Sequence, residues 1–331
     1  MPEQTSDQHI IRVAAVVVTY NRCQMLEKCL KCLRAQQLGE RRASLDILVI
    51  DNASTDKTVE VVVPLTIESN VHYYNTGANL GGAGGFNFGM RTAVQEGYDL
   101  VWVMDDDCLT EPQALAALLD AAENIEGDWG FLSSVARWTD GRICLMNVQR
   151  HPLYTNITNF QADLQPCTIA SFVSLLVPST RIAEVGLPIA EFFVWTDDWE
   201  FTRRLSRRWP CYVVGTSRVV HASATNGAGN IYTDPAERLD RYEYIYRNDV
   251  VLYRQEGLRG HLFLITRALY HMVRVIFSRV DQKAHRIGII VRSNRAGAHF
   301  NPSIEYVELP TNSSTQSSPS TTPTTQAPAT A

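Results

Sequence analysis

The sequence predicts an α/β protein: an open, mostly parallel sheet with helices on both faces, followed by a helical C-terminal extension. Three observations predict it. Short apolar, β-branched runs alternate with helix-length segments across residues 13–123, the pattern of a parallel sheet wrapped by helices. Polar residues of chemical interest follow the ends of those runs, where open α/β sheets bind ligands. From 240 to 295 the chain turns helical, aromatic and basic.

Each element has its own reason. Val13–Val18 is apolar and β-branched, a buried strand. Residues 22–37 carry helical spacing, with Met25, Leu26, Cys29, Leu30 and Leu33 on one face. Leu45–Ile50 is a second strand, and Ser54–Val63 opens on turn and cap residues before a short helix. Val71–Asn75 is a third strand. A glycine-rich loop, Gly77–Gly85, leads into a helix over 86–96. The strand 99–104 delivers three aspartates, and a helix follows over 112–123. Beyond 130 the pattern is mixed, with strands at Thr168–Val177 and Tyr212–Val219. From Thr311 the chain is Ser, Thr, Pro, Gln and Ala, too poor in apolar area to fold. The expected divisions are a tail at 1–11, an α/β domain at 12–240, a basic amphipathic region at 241–310 and a disordered tail at 311–331.

Composition narrows the class. Hydrophobic residues make up 45% of the chain, ample for a core. The net charge of −5 is unevenly spread: residues 241–300 hold eleven Lys/Arg against four Asp/Glu, the remainder nineteen against thirty-one. An acidic body with a basic segment points to a membrane surface or a polyanion. The acidic body and the lack of a recognised binding motif argue against nucleic acid. Seven cysteines without regular spacing argue against a disulfide framework, and Cys29 and Cys32 read as core residues. The polar Met1–Arg12 does not read as a signal peptide. No run reaches about 18 uncharged apolar residues, so no spanning helix is expected. These features predict a cytoplasmic, reducing setting.

Asp105–Asp107 is the most informative triplet. Three carboxylates behind the buried run Leu100–Met104 repel one another unless a cation intervenes. Hard divalent cations take carboxylate oxygens and keep phosphates in their shell. An acidic turn capping the next helix is the competing explanation. Asp51 ends the second strand, where a carboxylate can take a nucleobase N–H or ribose hydroxyls; Asp56 reads rather as a helix cap. Four glycines within 81–85 allow close backbone approach, and N–H groups of Gly81 and Gly82 are candidate donors to phosphate or sugar oxygens. The segment matches neither a P-loop nor a dinucleotide fingerprint. Asp197-Asp198-Trp199-Glu200 is a second acidic cluster beside apolar residues, which raises proton affinity as a general base requires. Arg203 and Arg204, one turn on, are possible partners for it. His221 ends a strand and becomes a candidate metal ligand beside a carboxylate site.

Val18-Thr19-Tyr20-Asn21-Arg22, Asp51–Asp56, Asp105–Asp107 and Asp197–Glu200 occur in the order seen in family 2 glycosyltransferases. The resemblance covers about residues 12–225. It implies the GT-A fold and inverting transfer from nucleotide-diphosphate sugars. The string NLGGAGGF at Asn79–Phe86 resembles bacterial galactofuranosyltransferases and related rhamnosyltransferases. The triplet, the Asp-Asp-x-Glu set and a later His also resemble the galactofuranosyltransferases. By that resemblance Thr19 and Asp51 face the uracil and ribose. Asp105 and Asp107 hold Mn2+ or Mg2+ and the diphosphate with Asp106 nearby, His221 completes the metal shell, and Asp198 is the general base. Thr196 separates Trp195 from Asp197, where the family pattern puts Trp directly before Asp. The long polymerising members carry an N-terminal β-sandwich that is not seen ahead of the first strand here, which favours a short initiating or single-addition enzyme over a polymerase.

In the basic segment, Leu262, Ile265, Leu269, Met272 and Ile276 recur at three to four residues. A helix of this kind lies in a membrane interface, or packs on the core with its arginines in solvent. The expected function is transfer of galactofuranose from UDP-galactofuranose to a polyprenyl-diphosphate-linked or other lipid-linked glycan, by a peripheral enzyme at the inner face of an anionic membrane. The rivals are a dTDP-rhamnose-dependent rhamnosyltransferase and a catalytically silent scaffold of a glycan-assembly complex.

Overall fold

Val13, Ala15 and Val17 face one side of the first strand and Ala14, Val16 and Val18 the other, and all six are buried. A strand covered on both faces must be apolar throughout, which is why it reads as a continuous run. The computed structural model of the chain describes residues 9–68, 70–227 and 229–310. The expected tail at 311–331 and most of that at 1–11 lie outside the described residues.

The first four strands form the parallel half of the sheet. They are β1 (Ile11–Thr19), β2 (Ala43–Asp51), β3 (Val71–Asn75) and β4 (Leu100–Asp105), in spatial order β3-β2-β1-β4. Their connections are α1 (Cys23–Arg34), α2 (Thr58–Glu68) and α3 (Gly81–Gln95). Leu26, Cys29, Leu30 and Leu33 of α1 pack on the face made by Val13, Ala15 and Val17. Phe86, Met90 and Val94 of α3 pack on the opposite face, with Val16, Val18 and Ile50.

Past β4 the sheet becomes mixed. β5 (Cys108–Thr110) is followed by α4 (Ala114–Asn124) and β6 (Leu132–Trp138). Then come β7 (Leu164–Pro166), β8 (Leu175–Pro178), α5 (Ser179–Val185), α6 (Asp197–Ser206) and β9 (Tyr212–His221). The order continues β4-β8-β6-β9-β5, with β7 on β9. β8 runs antiparallel to β4 and β6, while β9 runs parallel to β6 and antiparallel to β5. Buried hydroxyls bridge this half: Trp102 Nε1 donates to Ser174 Oγ at 2.9 Å, and Ser134 links Ser174 to Ser217 at 2.6 and 2.7 Å.

Two expectations change in detail. The strand foreseen at Thr168–Val177 is confined to Leu175–Pro178. The glycine-rich segment is not an open loop up to residue 85, because α3 already begins at Gly81. Glycine there permits close packing: a Cβ on Gly89 would stand 2.4 Å from Val16 Cγ1, so α3 lies nearer the sheet than any side chain allows.

The C-terminal region forms three helices, α7 (Arg241–Arg254), α8 (Gly257–Phe277) and α9 (Lys283–His299). Ile231, Tyr242, Tyr246, Val275, Ile289 and Ile290 make their shared core. Arg286 is fully buried in it and donates to Ile231 O and Asp234 O at 2.7 and 2.8 Å and to Asp281 Oδ1 at 2.7 Å. After α9 the chain returns to the sheet layer, where Val307 is buried in the core and Leu187 N donates to Glu305 O at 2.7 Å. Among the described residues, no helix is long and apolar enough to cross a membrane.

Candidate active site

Strand register assembles the site. Thr19 lies opposite Asp51, and Val18 opposite Asp105, so the strand ends align along the carboxyl edge of the parallel half. Cys108 pairs with His221 across β5 and β9. This antiparallel contact, invisible to local sequence, sets His221 beside Asp107: Nε2 is 3.1 Å from Asp107 Oδ1.

The triplet has three different environments. Asp106 is buried; Thr19 Oγ1 donates to its Oδ2 at 2.7 Å, and Arg22 Nη1 stands 2.8 Å from its Oδ1. Arg22 Nη2 donates to Asp107 Oδ2 at 2.9 Å. Burial pushes the Asp106 carboxyl up to about 6, against the pull of Arg22 and Thr19. Asp105 rises to about 7, through burial first and then Asp107, with His221 opposing. Burial also works against the Asp107 charge, but His221 and Arg22 overcome it and hold the group low. His221 moves the other way: Asp107 raises it despite burial.

Asp197 and Asp198 enter at the start of α6, from a turn in which Phe193, Trp195 and Thr196 all have positive φ, at 63°, 67° and 72°. Each such residue costs on the order of 1–3 kcal/mol and persists only where its surroundings enforce it. Gly81 is one enforcer. Its φ is +70°, and a Cβ there would come within 2.1 Å of Phe193 O. The Ala83 N–H donates to that same carbonyl at 3.1 Å. Burial pushes Asp197 up to about 7. Asp198 is raised well above its ordinary value, by burial first, then by Asp197 and by Asp105. That coupling connects the second acidic cluster with the triplet. Glu200 is neutralised within its own helix by Arg204 Nε at 2.9 Å, while Arg203 turns away to Glu256. The arginines foreseen as partners therefore pair with neither Asp197 nor Asp198.

Other expected residues sit in the same edge but are occupied. Asp51 is fully buried; its oxygens accept from Ser54 N at 2.8 Å and Tyr73 OH at 2.6 Å. Contact between Asp51 and a nucleoside requires the tyrosine to yield. Thr19 is likewise buried and spent on Asp106. The Gly81 N–H is donated to Asn79 Oδ1 at 2.9 Å, and its carbonyl accepts from Asn52 Nδ2 at 2.9 Å. Gly81 thus supports the turn at Phe193 rather than offering a phosphate donor, and Gly82 is the glycine that faces open space. Asp56 behaves as the cap it reads as: Oδ1 accepts from Thr58 N at 3.0 Å.

Among the described residues, no three His, Cys, Asp or Glu side chains already stand as a closed metal cluster. The donor chemistry nevertheless fits a divalent cation. Asp106 Oδ1 and Asp107 Oδ1 are buried and have only ion-pair contacts, to Arg22 and His221, with no well-directed hydrogen bond. With Asn147 Oδ1 at 2.7 Å accepting from His221 Nδ1, the far ring nitrogen, Nε2, faces Asp107 Oδ1. A nitrogen and a carboxylate oxygen at that separation share a proton or would share a cation, and an imidazole held through its other nitrogen is the usual support of a metal ligand. Asp105, Asp107 and His221 are the candidate ligands. Arg22, Asn147 and Tyr73 were not singled out from the sequence; Arg22 lies within the quoted Val18–Arg22 motif, while the other two carry no local signal.

A family model for glycosyl transferase family 2 matches residues 14–146. The galactofuranosyltransferase GlfT1 of Mycobacterium tuberculosis is 30% identical over 284 residues, which cover 77% of this chain and 90% of that protein. The namesake protein of Mycolicibacterium smegmatis is 28% identical over 284 residues, 78% of this chain and 92% of its own. Among solved structures, the mannosyltransferase PcManGT of Pyrobaculum calidifontis, in complex with GDP-Man and Mn2+, superposes with a TM-score of 0.52 at 15% identity, covering 88% of this chain and 76% of that one. That likeness is one of fold: a GT-A arrangement of sheet and helices.

Proposed function

Because the chain belongs to glycosyl transferase family 2, and is a glycosyltransferase of GT-A fold, we propose that it transfers galactofuranose from UDP-galactofuranose to a lipid-linked glycan with inversion at the anomeric carbon. The observation that carries this reading is the acidic triplet at the carboxyl edge of the parallel strands, with Asp198 at the start of α6 raised by burial first and then by Asp197 and Asp105. The family relatives named galactofuranosyltransferase supply the donor.

In this reading Asp198 takes the proton of an acceptor hydroxyl, and that oxygen forms the new bond to the anomeric carbon as UDP departs. Burial and neighbouring carboxylates give Asp198 the proton affinity of a general base. Asp105, Asp107 and His221 would hold Mn2+ or Mg2+, which when bound supplies positive charge against the leaving diphosphate. Arg22, partly exposed between Asp106 and Asp107, contributes a second cation on the diphosphate side. The Asp51 and Thr19 edge takes the uridine, with Gly82 alongside.

An anionic membrane surface at the inner face of the cell membrane is the proposed working place. The support is α8, whose Leu258, Leu262, Ile265, Leu269, Val273 and Ile276 form one exposed stripe. Arg259, Arg274 and Arg279 flank it.

Calorimetric titration with UDP, dTDP and GDP, each with and without Mn2+, tests the donor. Mn2+-dependent preference for UDP is expected. Preference for dTDP moves the assignment to rhamnose, and binding of none removes the enzymatic reading. Asp198→Asn is expected to abolish transfer while keeping Mn2+-dependent UDP binding; normal turnover in that variant excludes Asp198 as the base.

A further inference from the structure

The turn that brings Asp197 and Asp198 into the site does not hold itself. Three of its residues, Phe193, Trp195 and Thr196, have positive φ without being glycine, a conformation that neighbours must impose. Besides Gly81 and Ala83 of α3, the neighbours are on α7. Tyr244, Arg247, Asn248 and Val251 follow helical i, i+3, i+4, i+7 spacing and so share one face. Val251 packs with Phe192, and the Tyr244 ring stacks on Phe193 with centroids 5.1 Å apart. Arg247 Nη2 donates to Glu191 O at 2.7 Å.

Asn248 and Asp249 make the most specific contacts. Asn248 is fully buried, and its Nδ2 reaches the carbonyls of Phe192, Val194 and Trp195 at 3.0, 3.2 and 3.0 Å. One amide group thus gathers three carbonyls of the strained turn. Asp249, also buried, accepts from Thr196 Oγ1 at 2.7 Å and is ion-paired with Arg267 of α8. Thr196 immediately precedes Asp197 and caps α6 in the left-handed conformation. A buried amide and carboxylate with a partly buried guanidinium cost more desolvation than apolar packing would. What they add is a defined geometry at the residue next to the acidic pair.

We propose that Asn248 and Asp249, locked by Arg267, are positioning residues that hold the turn 192–196 so that the Asp197–Asp198 pair faces the acidic triplet. The proposal rests on the reading of Asp198 as the base. It also gives a place to Thr196: its hydroxyl is the link between turn and clamp.

The test uses full-length Thr196→Val, Thr196→Ser and Asn248→Ala, with Asp198→Asn as reference. Thr196→Val keeps the shape of the side chain and leaves the Asp249–Arg267 pair intact, so it remains informative should Asn248→Ala fail to fold. Hydrogen–deuterium exchange is read on peptides covering 190–200, and UDP release is read from UDP-galactofuranose with a synthetic polyprenyl-diphosphate-linked glycan. Thr196→Val is expected to speed exchange in those peptides alone. It should lower kcat by on the order of 10²-fold, the cost of a small misplacement of a catalytic group. The donor KM and Mn2+-dependent UDP binding should stay unchanged, and Thr196→Ser should restore both exchange and kcat.

Unchanged exchange in folded variants overturns the proposal. So does faster exchange with wild-type kcat while Asp198→Asn is inactive, which removes the clamp and leaves the base. Normal turnover by Asp198→Asn removes the base and the positioning role with it. Should the wild-type enzyme not turn over the synthetic acceptor, the exchange measurement decides alone.

Discussion

Asp105, Asp106 and Asp107 are identical in chemistry and adjacent in the chain, yet their surroundings push them apart. Asp106 is gripped by Thr19 and Arg22, Asp107 by Arg22 and His221, and Asp105 faces the other acids. Such divergence gives like residues different needs: Asp107 is held charged by its protein partners, while Asp105, raised by burial and by Asp107, would need a nearby cation to stay ionised. Asp197 bears on this directly. Its carboxylate is, after burial, the largest cause of the raised Asp198. A general base works as the carboxylate, so activity is present above its pKa and is lost as pH falls through it. Asp197→Asn removes the neighbouring charge and lowers that pKa. The acid limb of the kcat–pH profile is therefore expected to move to lower pH, read as UDP release across a pH series. A limb that stays in place would show that Asp197 does not face the working base. None of this pairing is readable from the triplet itself: Arg22 is 85 residues from Asp107 in sequence, and His221 reaches it only through the β5–β9 register.

Among elements, α8 has a face of unusual polarity. Its outward side is aliphatic, while Arg267 and His271 point inward. Tyr246 OH donates to His271 Nδ1 at 2.6 Å, and Tyr232 and Tyr270 pack on the imidazole. Burial first, then Arg267 and Arg274, pushes His271 down to about 4. The folded state thus keeps this histidine neutral where the unfolded chain would protonate it near 6.5. Its contribution is present above the unfolded pKa and is lost as pH falls from about 6.5 towards about 4. His271→Gln, which retains an acceptor for Tyr246 without a titrating group, is expected to flatten the acid side of the melting temperature profile over that window. An unaltered profile would place the acid sensitivity elsewhere. The glycine-rich segment teaches the complementary lesson. Four glycines in five residues read as a loop because helix propensity is poor there, yet packing against Val18 and Phe193 makes them a helix start.

For the whole molecule, the question is what covers the α8 stripe. Leu258 and Phe277 at its two ends are 86% and 83% exposed. A contiguous apolar face of this size marks an interaction surface, and the basic flank favours an anionic lipid over a neutral one. The double variant Leu262→Glu/Leu269→Glu is expected to weaken sedimentation with anionic vesicles by on the order of 10²-fold or more, given roughly 1.5–3 kcal/mol per buried aliphatic side chain. UDP binding and melting temperature should be unchanged. Undiminished vesicle binding would move the membrane contact off α8, and loss of a dimer in the variant would assign the stripe to a second copy. Substitution is the informative route, since deletion of 241–310 would also strip Asn248, Asp249 and the strap ending near Val307 from the sheet layer.

By itself the sequence determined the parallel half of the sheet, the position of Thr19, Asp51 and the triplet at its carboxyl edge, and the charge division between body and C-terminal helices. Those features are local: a strand buried on both faces must be a continuous apolar run, and the residue after it must sit at the sheet edge. Tertiary structure alone decided which acids are paired, where α3 begins, that Asn147 supports His221, and that α7 grips the turn before Asp197. Each of these depends on contacts between segments distant in the chain. Such contacts leave no period and no spacing in the sequence, because a side chain's partner there is selected by strand register and helix packing rather than by its neighbours.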